Sequence, residues 1–76
     1  KNHSLAQERL GTFYREGLGV EVDLIVAHMW FNISASNGNK FAENDRSEIE
    51  QDMTVEEIWN AQRLARECVA KDYKDC

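Results

Sequence analysis

The sequence predicts an all-α fold of four antiparallel helices, arranged as two stacked helical hairpins in the manner of a short αα superhelix. The 76 residues contain no proline and only four glycines, whereas β-rich proteins use both residue types in their many turns. Apolar residues recur at helical spacing, and capping signals divide the chain into four segments. We expect a single domain over residues 1–76, because a chain this short supports one core.

The first helix is expected from about Leu5 to Glu16. Ser4 and Gln7 have the spacing of a capping box, in which each side chain satisfies an unpaired backbone N–H. The apolar positions predicted to form its buried face are Ala6, Leu10, Phe13 and Tyr14. Gly17 and Gly19 should end the helix, because glycine accepts the left-handed conformation of helix ends.

The second helix is expected from about Leu24 to Asn37, with Asp23 as its N-cap. It is apolar almost all round, which predicts a helix buried on more than one side. One apolar stripe along it consists of Val26, Met29 and Ile33.

The second half predicts two more helices, over about residues 40–73, followed by a short tail, 74–76. The third, from about Phe41 to Gln51, has few apolar residues and many acids. Thr54 and Glu57 form a capping box that starts the fourth. The positions predicted to form its buried face are Val55, Ile58, Gln62, Ala65 and Val69.

The charge balance excludes some partners. A net charge of −5 and a pI of about 4.9 argue against nucleic acid, because an acidic surface repels phosphates. No apolar run approaches the roughly 18 residues of a membrane span, so no membrane association is expected. The chain has no signal-peptide pattern and no initiator Met, which leaves open a bacterial cytoplasmic protein, a processed periplasmic or exported one, or a fragment of a longer chain.

The sequence predicts neither a cofactor nor a metal site. Cys68 and Cys76, if both were helical, would lie about 12 Å apart at 1.5 Å per residue, too far for a disulfide. We therefore expect two free thiols, with a bridge only if the tail folds back.

The two cysteines and two histidines lack zinc-site spacing, and His28 is expected to be partly exposed. No catalytic constellation is present, so we predict a non-enzyme; the alternative is a small enzyme that depends on His28 or Cys68.

About half of the chain, roughly residues 4–42, resembles one Sel-1-like repeat, a relative of the tetratricopeptide repeat. The positions that carry the resemblance are Ala6, Gln7, Leu10, Gly11, Tyr14, Gly17, Gly19, Val20, Asp23, Ala27, Trp30, Ala35 and Gly38. The resemblance implies a helical hairpin, over about 4–39, that mediates protein–protein interaction as an adaptor or scaffold without a cofactor. A homodimer is one arrangement it allows.

The second half resembles the closing helix pair that often follows the last such repeat. The positions involved are Arg46, Ile49, Met53, Thr54, Ile58, Ala61, Gln62, Leu64 and Ala65. Terminal units of repeat arrays differ from the others because one face meets water. An alternative function is therefore that of a C-terminal structural cap of a longer array.

Two sets of residues are candidates for binding a partner. Val26, Met29 and Ile33 are apolar where the family commonly has polar residues, and Trp59 is large where a small residue is usual. The stripe either packs on the chain's own second half or forms an association surface. The resemblance also implies a groove lined by the first helix of each hairpin, with the candidates Gln7, Arg9, Thr12 and Arg15.

Overall fold

A computed structural model describes residues 3–76, so Lys1 and Asn2 of the predicted domain lie outside the described residues. This part of the chain contains four α-helices and no strand, which confirms the predicted fold class. The helices are α1 (Ser4–Glu16), α2 (Leu24–Ser36), α3 (Lys40–Glu50) and α4 (Val55–Ala70). Each begins and ends within a few residues of its predicted bounds.

Local capping explains most of these bounds. The Asp23 carboxylate accepts hydrogen bonds from the backbone N–H groups of Ile25 and Val26, as predicted. Asn39 caps α3 in the same way, and the capping box of Thr54 and Glu57 is present in full. Helix ends therefore follow directly from short-range polar signals.

The predicted capping box of Ser4 and Gln7 is wrong. Ser4 is already the first residue of α1, and the residue before it, His3, makes no capping hydrogen bond with its side chain. Gln7 instead points inward, where its Oε1 accepts a hydrogen bond from Nδ2 of Asn37. Asn37, the residue that follows α2, therefore competes successfully for the side chain that the local pattern predicts as part of the cap.

The central helix is α2, and α1, α3 and α4 all pack against it. Its burial on more than one side is confirmed. Helix α1 approaches α2 closely at Gly11, where a Cβ atom would lie only 2.5 Å from Cε1 of Phe31. The absence of a side chain at this position lets the Phe31 ring lie against the α1 backbone.

One side of α2 faces α3. Ala27 and Phe31 form a buried cluster with Ala42 and Ile49. Two polar contacts flank this cluster. Nε2 of His28 lies 2.7 Å from a carboxylate oxygen of Glu50, and Nη1 of Arg46 donates a 2.6 Å hydrogen bond to Oδ1 of Asn32. The earlier residue of α2, His28, contacts the later residue of α3, Glu50, while Asn32 contacts Arg46. The two helices are therefore antiparallel.

The prediction of a partly exposed His28 is wrong, because the side chain is fully buried. Its helix position faces α3, and Glu50 supplies the polar partner that a buried imidazole needs. The other ring nitrogen, Nδ1, has no hydrogen-bond partner among residues 3–76. His28 therefore belongs to the interior of the protein.

The opposite side of α2 faces α4. Met29, Trp30 and Ile33 form a second buried cluster with Ala65 and Cys68, and Tyr14 of α1 packs against both clusters. The predicted buried face of α4 is only partly right, because Val55 and Val69 are exposed. The fully buried positions on α4 carry small side chains (Ala61, Ala65 and Cys68), and small side chains allow a helix to approach its neighbour closely.

The prediction of two free thiols is also wrong, because Cys68 and Cys76 form a disulfide. The chain leaves α4 through a turn in which Asp72, Tyr73 and Asp75 have positive φ angles. This turn brings the two Cα atoms to 5.7 Å, within the range for a disulfide. The tail folds back on the end of α4, which is the condition under which the sequence allowed a bridge.

Candidate interaction surfaces

The apolar stripe of α2 is covered by the chain itself. Met29 and Ile33 are only 4% and 2% exposed, and Val26 is partly buried against the same cluster. Of the two interpretations, packing on the chain's own second half is therefore the one that the structure shows. The prediction that Met29 and Ile33 bind a partner is therefore wrong, because a docking protein could not reach them without displacing α4.

Two of the predicted groove residues on α1 are also engaged within the chain. Gln7 is 5% exposed and is bonded to Asn37 at 2.9 Å. Oγ1 of Thr12 donates to the backbone oxygen of Glu8 at 3.2 Å, one turn earlier on the same helix. Gln7 is therefore buried away from a partner, and the hydroxyl proton of Thr12 is already used within α1.

Arg15 connects α1 to α3. Its Nη1 lies 3.8 Å from a carboxylate oxygen of Asp45 and 3.7 Å from one of Glu48. Its guanidinium carbon lies 5.8 Å from the centroid of the Phe31 ring, close enough for a cation–π interaction. The predicted groove between the first helices of the two hairpins is thus bridged by a side chain that was a candidate for binding.

Glu8 adds a second acidic contact between the same two helices. Partial burial, a hydrogen bond with Asp45 and the negative charge of Asp45 all raise the pKa of Glu8 above its ordinary value of 4.5. Arg15 and Arg9 act in the opposite direction. The polar residues between α1 and α3 therefore interact with one another, and they leave this groove occupied by internal contacts.

The outer face of α1 is the surface that the sequence reasoning missed. Leu5 and Phe13 are 56% and 43% exposed, whereas the sequence pattern predicts Ala6 and Phe13 on the buried face. An open depression of about 580 Å³ on this face is lined by Leu5, Ala6, Arg9, Leu10 and Phe13. The spacing of Leu5, Arg9 and Phe13 could have revealed this stripe, because residues four apart lie on one side of a helix.

Trp59 is the exposed member of the first candidate set. It is 65% exposed, and Val55, one turn earlier on α4, is 62% exposed. These two apolar side chains lie on the same side of α4, away from its buried small residues. On α3, Phe41 is 78% exposed. The surface residues that a partner could reach therefore include Arg9 and Trp59 of the predicted set, with Leu5 and Phe13 added by the structure.

No helix among residues 3–76 combines the length and the apolar character that crossing a bilayer requires. Within the same residues, no three His, Cys, Asp or Glu side chains are grouped so that they could hold a metal ion. Cys68 is fixed in its disulfide, and His28 is enclosed between α2 and α3. Neither candidate of the enzyme alternative is thus presented at the surface.

Comparison with known proteins supports the repeat. No protein-family model matches the chain. Over 39 residues the chain is 44% identical to the putative sel1-like repeat-containing protein L21 of Acanthamoeba polyphaga mimivirus. The matched stretch is 51% of this chain and 7% of the viral protein. Half of the chain is therefore similar to a Sel-1-like repeat, as its residue pattern indicates, and the chain spans a small part of the relative's length.

Proposed function

We propose that this chain is a non-catalytic helical-repeat module that binds another protein and acts as an adaptor or scaffold. The observation that carries the proposal is the outer face of α1, where Leu5 and Phe13 stand exposed on a hairpin similar to a Sel-1-like repeat. Apolar side chains that lie together at a surface are typical of protein interfaces. Arg9 provides the polar rim of this face, and Trp59 is a second contact on α4.

Affinity capture from the source organism tests the proposal with a matched pair of variants. Phe13→Glu places a charge in the α1 face, and Phe41→Glu makes the same change at an exposed phenylalanine on α3. We expect one protein to be retained by the wild type and by Phe41→Glu, and to be lost with Phe13→Glu. Retention by all three chains, or by none, would contradict binding through α1.

A second candidate function is that of a structural cap of a longer repeat array. The same open face of α1 favours it, because a neighbouring hairpin would cover Leu5 and Phe13. In that case the isolated chain should self-associate through this face, and Phe13→Glu should restore a monomer. Sedimentation of the wild type and of both Phe→Glu variants separates the two candidates: an interaction module stays monomeric without its partner, whereas a cap self-associates and becomes monomeric with Phe13→Glu but not with Phe41→Glu.

We further propose that the chain works in an oxidising compartment, such as a periplasm or an extracellular space. The Cys68–Cys76 disulfide supports this, because such bonds persist where thiol reductants are absent. Trapping with a thiol-alkylating reagent in the source cells, before lysis, tests it. Alkylation of both cysteines would place the chain in a reducing compartment and contradict the proposal.

A further inference from the structure

A shallow cleft opens between α2 and α4, on a part of the surface that shares no residue with the α1 face. Its volume is about 390 Å³, at the lower end of the range for ligand sites. The floor is apolar and consists of Ile33, Ala65 and Val69, while Asn32, Ser36 and Arg66 form the rim. The space suits an apolar side chain and the polar groups next to it.

The rim offers hydrogen-bond donors. Asn32 accepts a hydrogen bond from Arg46 through its oxygen, and its amide NH₂ is a donor that it can offer to a ligand. The Ser36 hydroxyl and the Arg66 guanidinium are further donors. None of the residues that line the cleft is an aspartate or a glutamate. An occupant that brings acceptors, above all a carboxylate, would satisfy this rim.

Arg66 lines the cleft, and Arg46 lies beside it, bonded to Asn32. The sequence has 14 acidic and nine basic residues, so the chain as a whole is negative. In the described part of the chain, Arg15 and Arg63 form ion pairs, whereas Arg9, Arg46 and Arg66 form none. The cleft therefore presents an arginine without a carboxylate partner, and this arginine would attract an acidic segment.

We propose that this cleft binds a segment of a partner protein in which a large apolar side chain is flanked by carboxylates. The apolar side chain would rest on Ile33, Ala65 and Val69, and a carboxylate would bind the Arg66 guanidinium. The inference rests on the proposed interaction function and names a second contact site with its own chemistry. Burial of the apolar side chain contributes to the affinity, and the arginine makes the cleft selective for an acidic sequence.

Heteronuclear NMR of the full, oxidised chain tests the proposal with three short peptides. The probe is acetyl-Asp-Phe-Asp-amide. Acetyl-Asn-Phe-Asn-amide lacks the charges, and acetyl-Asp-Gly-Asp-amide lacks the apolar side chain. We expect the probe to shift the resonances of Asn32, Ser36 and Arg66. Each control peptide should bind about tenfold more weakly, since it loses either the charged contact or the apolar burial.

Variants of the chain locate the binding site. Arg66→Glu should weaken binding of the probe by about tenfold or more through charge reversal, and Ala70→Trp should block the cleft with a bulky side chain. Arg66 and Ala70 are both exposed, so the fold should tolerate these changes. Lys40→Glu is the matched control: it changes the net charge equally at an exposed residue that lines neither the cleft nor the α1 face, and it should alter binding by less than about twofold.

Several results would overturn the proposal. These are equal binding of the charged and uncharged peptides, unchanged binding by Arg66→Glu, and shifts outside the cleft. Shifts that appear without peptide, as the protein concentration rises, would assign the cleft to a second copy of the chain. If Arg66→Glu still captures the partner that Phe13→Glu loses, the cleft proposal fails and the proposed function stands. If the probe binds the cleft but the wild type captures no partner, the proposed function fails.

Discussion

The two sides of α2 are held by different kinds of interaction. Towards α3, the cluster around Phe31 is flanked by the directed contacts of His28 with Glu50 and of Asn32 with Arg46. Towards α4, Met29 and Ile33 pack against small side chains, and the described side-chain hydrogen bonds of α2 go to α1 and α3 instead. The disulfide near the C-terminal end of α4 ties this helix to the tail of the chain and not to α2.

The difference shows two ways of fixing a helix on a neighbour. Hydrogen bonds demand short distances and narrow angles, so the polar pairs specify one register between α2 and α3. Apolar packing is non-directional, so α4 relies on the close fit of Ala65 and Cys68 for its position. We expect the α3 side to be sensitive to single polar changes, and the α4 side to depend on apolar packing and on the disulfide that closes the C-terminal end of α4.

The largest expected effect is at Phe31, which contacts α1 and α3 together. Phe31→Ala should cost about 3–5 kcal/mol, because the fully buried ring leaves a cavity. A domain of this size has a free energy of unfolding of about 4–11 kcal/mol, so the variant should be near the limit of folding. Urea denaturation followed by circular dichroism measures this. Phe41→Ala, at an exposed ring, should change the free energy of unfolding by less than about 0.5 kcal/mol. If both variants lost the same stability, the burial of Phe31 between α1 and α3 would be contradicted.

The second effect is on the α4 side. Cys76→Ser removes the disulfide and leaves Cys68 as a buried thiol, and it should lower the free energy of unfolding by about 2.5 kcal/mol, the loop-closure value for a ring of this length. Hydrogen exchange should show the loss first at the C-terminal end of α4. Reductant should reproduce the effect in the wild type and leave Cys76→Ser unchanged. A variant as stable as the wild type would show that packing alone holds α4.

The third effect returns to the α3 side. Glu50→Ala deprives the buried His28 of its hydrogen-bond partner, and an unsatisfied buried polar group costs about 1–3 kcal/mol. Glu48→Ala is the control on the same helix, where an exposed ion pair with Arg15 contributes less than about 1 kcal/mol. Thermal denaturation of both variants compares them. If Glu48→Ala proved the more damaging, the surface contacts of Arg15 would hold α3 rather than the buried pair.

The smallest effect concerns pH. Because its pKa is raised in the folded chain, Glu8 holds its proton more tightly there than in the unfolded chain, so its contribution to stability declines as pH rises from 4.5 through the raised pKa. Glu8→Gln should therefore be slightly more stable than the wild type at neutral pH and equal to it well below pH 4.5. Thermal melts across this range test it, with Glu43→Gln, at an exposed acid on α3, as control. A stabilisation that persists at low pH would exclude the titration of Glu8 as its cause.

Much of the fold could be predicted from the sequence, but less of the binding surface. Helix ends depend on residues a few positions apart, as with Asp23 or Thr54, so they can be read locally. Exposure depends on which neighbour covers a face. Phe13 was assigned to the core and is exposed, while Gln7 was assigned to the surface and is buried. In both cases the local pattern was compatible with either orientation, and contacts with α2 decided between them.

The sequence by itself determined the four helices, the turn glycines, the buried character of α2 and the likeness of half the chain to a Sel-1-like repeat. These features arise from capping, periodicity and backbone conformation, all of which act within a few residues. The tertiary structure alone decided that α4 covers Met29 and Ile33, that His28 meets Glu50, and that Cys76 returns to Cys68. Each of these joins side chains through the path of the chain in space, which spacing along the sequence does not fix.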